Sequence, residues 1–245
     1  MARLGGQTVD LNPSVTQLGR GEPLEDTARV LSRYCDVLAI RTFAQQELVD
    51  YAYWASVPVI NALTDLEHPC QALADFLTMR EAHGELAGQT LAYIGDGNNV
   101  AHSLMLCGAL LGVNVRIGCP EGFEPLPGVL DQARDLAQHG ASIDVITDPA
   151  QAVAGAQAVY TDVWASMGQE TEQAEREQAF SGFCVDEALM DQAASDAIVL
   201  HCLPAHRGEE ISAEVMESAA TRIFDQAENR LHAQQALLAS LMGGL

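Results

Sequence analysis

Short runs of β-branched and aliphatic residues alternate along the chain with stretches whose apolar positions recur every three to four residues. The runs predict strands at Thr8–Leu11, Val37–Ile40, Val57–Ile60, Thr90–Ile94, Val113–Ile117, Ser142–Ile146, Ala158–Tyr160, Ile198–Leu200 and Arg222–Phe224. The second pattern predicts helices over roughly residues 25–34, 44–54, 69–82, 99–111, 128–139, 149–154, 170–180, 186–193, 212–219 and 227–242. Strands that alternate with helices form parallel sheets through right-handed crossovers, so the expected class is α/β with doubly wound parallel sheets. A change of composition across residues 82–88 (AHGELAG) marks a boundary between two such units. The last helix is expected to pack back on the first unit. No internal repeat or low-complexity tract interrupts the pattern.

With 245 residues, 48% of them hydrophobic, the chain can bury one large core or two modest ones. It holds no apolar run long enough for a membrane span, and Met1-Ala2-Arg3-Leu4-Gly5-Gly6 has no apolar core of a signal peptide. Six scattered cysteines without a CxxC pair point to free thiols in a reducing cytoplasm and away from a cysteine zinc cluster. There are 34 acidic against 12 basic residues, a net charge of −22, and every basic residue is Arg. Such a field repels nucleic acid and anionic membranes, so neither is expected as a partner. Without lysine there is no pyridoxal Schiff base, aldolase-type lysine or P-loop lysine. An anionic substrate would need a local arginine pocket in an acidic protein.

Polar residues gather where the predicted strands end, which is where open α/β sheets bind ligands. Arg41 follows Ile40; there it could grip a phosphate or form a surface ion pair. His68 precedes Pro69, a residue suited to the first turn of a helix, and Gln71 lies one turn on. The pair could polarise a carbonyl beside free N–H groups, or His68 could simply cap the helix. Leu73, Phe76 and Leu77 are expected on the core-facing side. Gly95-Asp96-Gly97-Asn98-Asn99 follows Ile94 and lacks the third glycine of a dinucleotide turn. Its asparagines could bond the polar ends of an amino acid or cap a helix. Asp162, followed by Trp164, Ser166 and Met167, could hold an ammonium. His201-Cys202-Leu203-Pro204-Ala205-His206 could supply a nucleophilic thiol, a non-standard metal site or a buried structural cysteine. Arg230 lies early in the last helix and could close on the same pocket.

Together the stretches MARLGG, QLGRGEPLEDTARVLSRY, RTF, NALTDLEHPCQALADFLT, GDGNNVAHS, TDVWASMGQE, HCLPAHRGEE and FDQAENRLHAQ resemble the ornithine carbamoyltransferase family, in family order over essentially the whole chain. The resemblance implies two parallel-sheet domains: a carbamoyl-phosphate domain at 1–83, an ornithine domain at 84–226, and a C-terminal helix at 227–245. It implies carbamoyl phosphate on Arg41, His68, Gln71 and Arg230, with Gln17 reaching a neighbouring subunit's phosphate site in a homotrimer. It implies ornithine on Asn99, Asp162, Ser166 and Met167. Cys202 and Leu203 would line the meeting point of the substrates, Cys202 as a polar ligand. Arg41, His68 and Cys202 would be the catalytic groups. A neutral amine would attack the carbamoyl carbon and phosphate would leave, with no metal, redox cofactor or covalent intermediate required. The family also carries a Ser-Thr-Arg-Thr-Arg segment and a leading helix and strand ahead of the stretch matched by Met1–Gly6. This sequence contains none of these, so the first domain is expected to be incomplete at its N-terminus and turnover by this chain alone to be low.

Three other readings remain open at this point. One is a carbamoyltransferase for another amine, which Asp162 disfavours for aspartate. Another is a non-catalytic relative that binds ornithine or a partner subunit. A third is a dinucleotide-dependent dehydrogenase, which the incomplete glycine pattern disfavours.

Overall fold

The computed structural model describes residues 1–12, 21–165 and 170–243. Two parallel sheets organise them. The smaller pairs β1 (Leu38–Arg41) with β2 (Val59–Leu63). It is flanked by α1 (Leu24–Leu31) and α2 (Gln45–Trp54). The larger sheet comprises β3 (Thr90–Ile94), β4 (Asn114–Gly118), β5 (Ile143–Ile146), β6 (Ala158–Thr161) and β7 (Ile198–His201), in the order β5-β4-β3-β6-β7. The order reverses between β3 and β6. At such a switch point the crossovers leave on opposite faces and open a crevice beyond the strand ends.

Side-chain alternation explains why both faces of the larger sheet are covered. Leu91 and Tyr93 point into one core, where Tyr160 and Leu200 from the neighbouring strands join them. Ala92 and Ile94 point into the other, with Val159 and Val199. Strands buried on both faces read as continuous apolar runs, as these do. The first core is covered by α3 (Pro69–His83), α4 (Asn99–Leu111) and α5 (Pro127–Leu136). The second lies under α6 (Pro149–Val153), α7 (Gln173–Ala179), α8 (Glu187–Met190) and α9 (Ala213–Met216), with Phe180 and Phe183 between them. The long α10 (Ile223–Leu241) then runs back along α3. Caps set several helix starts. Asn98 accepts from the N–H groups of Val100 and Ala101, and Asp148 does the same for α6 ahead of Pro149.

Several sequence expectations need correction. Thr8–Leu11 alternates like a strand but is irregular and exposed, because no neighbouring strand pairs with it among the described residues. At Arg222–Phe224 only the chain just before makes a bridge, Thr221 to Val199. Ile223 already belongs to α10, where it is fully buried, so this helix starts earlier than 227. The predicted helix at 170–180 is a 3-10 turn (Glu170–Glu172) followed by α7, and those at 128–139, 186–193 and 212–219 are shorter. Leu73 is exposed and shares its stripe with Arg80, seven residues on; α3 is otherwise enclosed by the sheet, α4 and α10. All six cysteines are free, and no helix among the described residues is long and apolar enough to cross a membrane.

Candidate active site

The site is built around the start of α3. His68 is the N-cap residue and Pro69 the first helical residue. The loop leading to His68 is held by one face of α4, at positions i, i+3 and i+4. Asn99 Nδ2 donates to the Thr64 carbonyl at 2.6 Å, His102 Nδ1 to the Leu66 carbonyl at 2.8 Å, and the His68 N–H donates to Ser103 Oγ at 2.7 Å. His102 Nε2 in turn accepts from the Leu126 N–H at 3.1 Å, so this ring is neutral. The GDGNNVAHS stretch therefore anchors the loop of the other unit. Its second glycine has a local reason as well: a Cβ on Gly97 would stand 2.2 Å from the Pro125 nitrogen.

Three of the predicted phosphate ligands converge electrostatically. Burial, then the charges of Arg230 and Arg41, pulls His68 down to a pKa of about 4. The ring is therefore neutral at ordinary pH, and its buried Nδ1 has no hydrogen-bond partner. Gln71, three residues onward in the first turn, accepts from Arg230 Nη1 at 2.6 Å through its side-chain oxygen. With its amide oriented to match, Gln234 accepts from Nε and Nη2 of Arg230 at 2.7 and 2.8 Å. Arg41, at the end of β1, is exposed. A cationic cluster beside a helix N-terminus in a chain of net charge −22 is a local anion site.

The second cluster lies at the switch point. Asp162, beyond β6, is buried; its Oδ2 accepts from Asn98 Nδ2 at 3.0 Å and its Oδ1 from the Cys202 thiol at 2.9 Å. Asn98 thus does two jobs, capping α4 and bonding Asp162, whereas Asn99 gives its Nδ2 to the Thr64 carbonyl. Burial and the neighbouring Asp162 push the Cys202 thiol well above the ordinary range. His201 offers it no base. The His201 Nε2 donates to Glu210 at 3.0 Å, and Nδ1 accepts from the Leu203 N–H at 2.8 Å. This excludes an activated Cys–His pair in the present arrangement. Iodoacetamide should accordingly modify Cys202 slowly between pH 7 and 9, without a titration step; a rate that climbs tenfold per pH unit and then levels off near pH 8 would contradict the neutral thiol. Leu203 sits in the left-handed region at φ 59°, which costs a branched residue about 1 kcal/mol or more and is held by that bond to His201.

Two groups of metal-ligand types come together among the described residues, Asp162/His201/Cys202 and His206/Glu209/Glu210. In the first, both ring nitrogens of His201 are engaged and the thiol keeps its proton on Asp162. In the second, Glu210 Oε1 is committed to His201 and to the His206 N–H.

A buried polar chain joins the anion cluster to the acid cluster. Asp75, on α3, takes hydrogen bonds at Oδ1 from Gln71 Nε2 (2.8 Å) and Gln226 Nε2 (2.6 Å); Gln226 Oε1 accepts from the His201 N–H at 2.8 Å. Burial raises Asp75 to a pKa of about 7 against the pull of those bonds. Of these groups the sequence singled out only Gln71 and His201. The i, i+4 spacing of Gln71 and Asp75 was the available signal, and polar residues inside an apolar helix pattern are easily read as surface. Arg176 was also missed. This buried α7 residue bonds Asp96 Oδ2 and the Trp164 carbonyl, each at 2.8 Å, and so ties the loop beyond β3 to the segment just after Asp162. Gln17, Ser166 and Met167 lie outside the described residues.

Comparison with known proteins shows the family and the fold. Residues 1–81 match the carbamoyl-P binding domain of aspartate/ornithine carbamoyltransferases, and residues 87–241 match their Asp/Orn binding domain. The whole chain is 88% identical to an ornithine carbamoyltransferase of Parasynechococcus marenigrum and spans 77% of its length. Among solved structures, ornithine carbamoyltransferase from Pyrococcus furiosus superposes with a TM-score of 0.95 at 50% identity, covering all of this chain and 79% of its own. That from Gloeobacter violaceus gives 0.89 at 55% identity, covering 99% and 79%.

Proposed function

Since this chain belongs to the aspartate/ornithine carbamoyltransferase family, we propose that it transfers the carbamoyl group of carbamoyl phosphate to the side-chain amine of L-ornithine, giving L-citrulline and phosphate in arginine biosynthesis. The observation that carries the reading is the polar chain running from Arg230 through Gln71, Asp75 and Gln226 to the backbone of His201. It connects an arginine-rich helix start to a buried Asp162–Cys202 pair.

In this reading Arg41, Arg230, Gln71 and the N-terminus of α3 hold the phosphate, with Gln17 reaching across from a neighbouring subunit of a homotrimer. His68, neutral, donates a hydrogen bond to the carbamoyl oxygen, where negative charge grows as the tetrahedral intermediate forms. Asp162 binds an ammonium of ornithine, assisted by Cys202 as a polar ligand and by Asn99, Ser166 and Met167. Leu203 lines the point where the two substrates meet. The free amine then attacks the carbamoyl carbon, and phosphate departs with the bonding pair, taking up the proton that the attacking nitrogen loses. Holding both reactants in line supplies much of the acceleration. We assign residues 1–83 to the phosphate-binding domain, 84–226 to the amino-acid domain and 227–245 to a helix packing back on the first, in a cytoplasmic enzyme.

Calorimetry followed by a citrulline assay tests this. Carbamoyl phosphate is expected to bind the free protein, ornithine the phosphate-loaded protein, and aspartate neither form. A chain that binds ornithine but not carbamoyl phosphate, or aspartate in preference to ornithine, would overturn the proposal. An acid in the position of Asp162 disfavours aspartate because two carboxylates would face each other in a buried pocket.

A further inference from the structure

Asp75 touches neither substrate in this reading, yet it is a carboxyl group with no solvent exposure, at the centre of the chain that links the two halves of the site. We propose that Asp75 is a positioning residue: it orients the Gln71 amide, and through it the Arg230 guanidinium, to receive the phosphate, and its ionisation tunes the affinity for that anion. The inference rests on the carbamoyl-phosphate reading of the cleft.

The geometry leaves little freedom. An amide can present its oxygen or its nitrogen to a neighbour, and the two choices have opposite effects on an arginine. With Gln71 Nε2 donating to Asp75 Oδ1 at 2.8 Å, the Gln71 oxygen must face the other way, where it accepts from Arg230 Nη1 at 2.6 Å. The same Oδ1 takes Gln226 Nε2 at 2.6 Å, and Gln226 lies one turn of α10 before Arg230. One carboxyl oxygen therefore fixes both the helix that carries Arg230 and the side chain that Arg230 rests on. A structural polar group of this kind would usually be satisfied on every atom. Here Oδ2 has no well-formed hydrogen bond: the Tyr160 hydroxyl beside it is near enough to favour the ionised carboxyl but falls outside good bonding geometry.

That oxygen, clear of the Gln71 and Gln226 bonds, is where a proton can sit. The groups facing Asp75 are Arg230 on α10, Tyr160 on β6, Cys202 beyond β7 and Cys107 on α4. Arg230 is the cation among them. Burial lifts the group to about 7 against the opposing pull of Gln71, Gln226, Tyr160 and Arg230, so it changes charge near neutrality. Proton gain on Oδ2 leaves Oδ1 accepting and the Gln71 orientation intact. It removes a negative charge that competes with the phosphate for Arg230. Affinity for carbamoyl phosphate should therefore fall as pH rises through about 7.

The test uses the full chain and two variants. Asp75→Asn keeps the Oδ1 acceptor and removes the charge; Asp75→Leu removes both. In wild type, the side-chain amide NMR resonances of Gln71 are expected to move with pH near neutrality, and KM for carbamoyl phosphate to rise severalfold from pH 6 to 8. Asp75→Asn should abolish both pH responses while keeping KM close to the low-pH wild-type value. Asp75→Leu should raise KM about tenfold or more, with a smaller change in kcat. Gln71 resonances that ignore pH in wild type, or an unchanged pH response in Asp75→Asn, would overturn the proposal. If Gln71 titrates in wild type and not in Asp75→Asn, the positioning link is supported even where carbamoyl phosphate fails to bind, and the failure then falls on the functional reading alone.

Discussion

Replacing His68 by alanine is expected to lower kcat for citrulline formation by about two to three orders of magnitude, the usual loss when one donor to a developing oxyanion is removed. The residue is well placed for that role. Its backbone is tied to Ser103 and its ring heads α3, so the substitution removes the imidazole without displacing the loop. Its Nδ1 is buried without a protein partner, although burial makes an unmet polar atom expensive. With a pKa of about 4, forced mainly by burial and then by Arg230 and Arg41, the ring works as a neutral donor and carries no cation. His68→Gln, which retains an N–H, should recover part of the lost rate. The pH profile supplies a second check. Since His68 protonates only near pH 4, no acid limb at pH 6–7 should belong to it. A limb there that disappears in His68→Gln would rule out the neutral donor. Stability follows the same shift. The folded value lies below the unfolded 6.5, so the unfolded chain gains the proton first on acidification. The contribution of neutral His68 is complete above pH 6.5 and is lost progressively as pH falls towards 4, and His68→Ala should flatten that part of the curve.

Arg176→Met is expected to destabilise the fold by about 3–5 kcal/mol, because it leaves a buried carboxylate without its cation. Arg176 is nearly fully buried and makes three bonds at once: to Asp96 and the Trp164 carbonyl at 2.8 Å and to Glu172 at 3.1 Å. Its guanidinium also lies over the Phe123 ring, 5.2 Å from the centroid. Asp96 is already raised by burial, and Arg176 is the group that opposes the rise. Without it, Asp96 must take up a proton or draw in water, and the Trp164 carbonyl loses its donor. For a chain of this size the unfolding midpoint should drop on the order of 10 °C. Combining Arg176→Met with Asp96→Leu should restore part of the loss, since the orphaned charge is gone. Urea unfolding of the two variants measures both effects. A single variant within about 1 kcal/mol of wild type would mean that Asp96 stays hydrated. Because Arg176 also ties the segment just after Asp162 to the loop beyond β3, ornithine affinity should weaken in the single variant under conditions where it remains folded.

Local pattern carried much of the fold. Thr90–Ile94 is a strand as read, β6 runs one residue further than predicted, and β4 is displaced by one residue at both ends. β3 and β6 are buried at every position and so are largely apolar, which makes the run plain in one dimension, whereas β4 carries half-buried Asn114 and Arg116. His68 at a helix start was also legible, because Pro69 both begins a helix and bars the residue before it from helical geometry. Thr8–Leu11 alternates and still forms no strand. Alternation states which side chains would share a face, but a strand exists only when a partner supplies the other half of its hydrogen bonds. Leu73 failed for a related reason: once several sides of a helix are enclosed, period alone does not say which stripe is left to solvent.

By itself the sequence determined the α/β alternation, the gathering of polar residues at strand ends, the absence of lysine chemistry and the family resemblance; each is written in neighbouring residues or in composition. Only the tertiary structure decided which of those residues act together. Asp75 meets Gln226 across 151 positions, Asp162 meets Cys202 across 40, and Arg176 meets Asp96 across 80. Such pairs are selected by the way helices pack on a twisted sheet. Their energies come from excluding water at contacts between distant segments, and no local spacing in the chain encodes them.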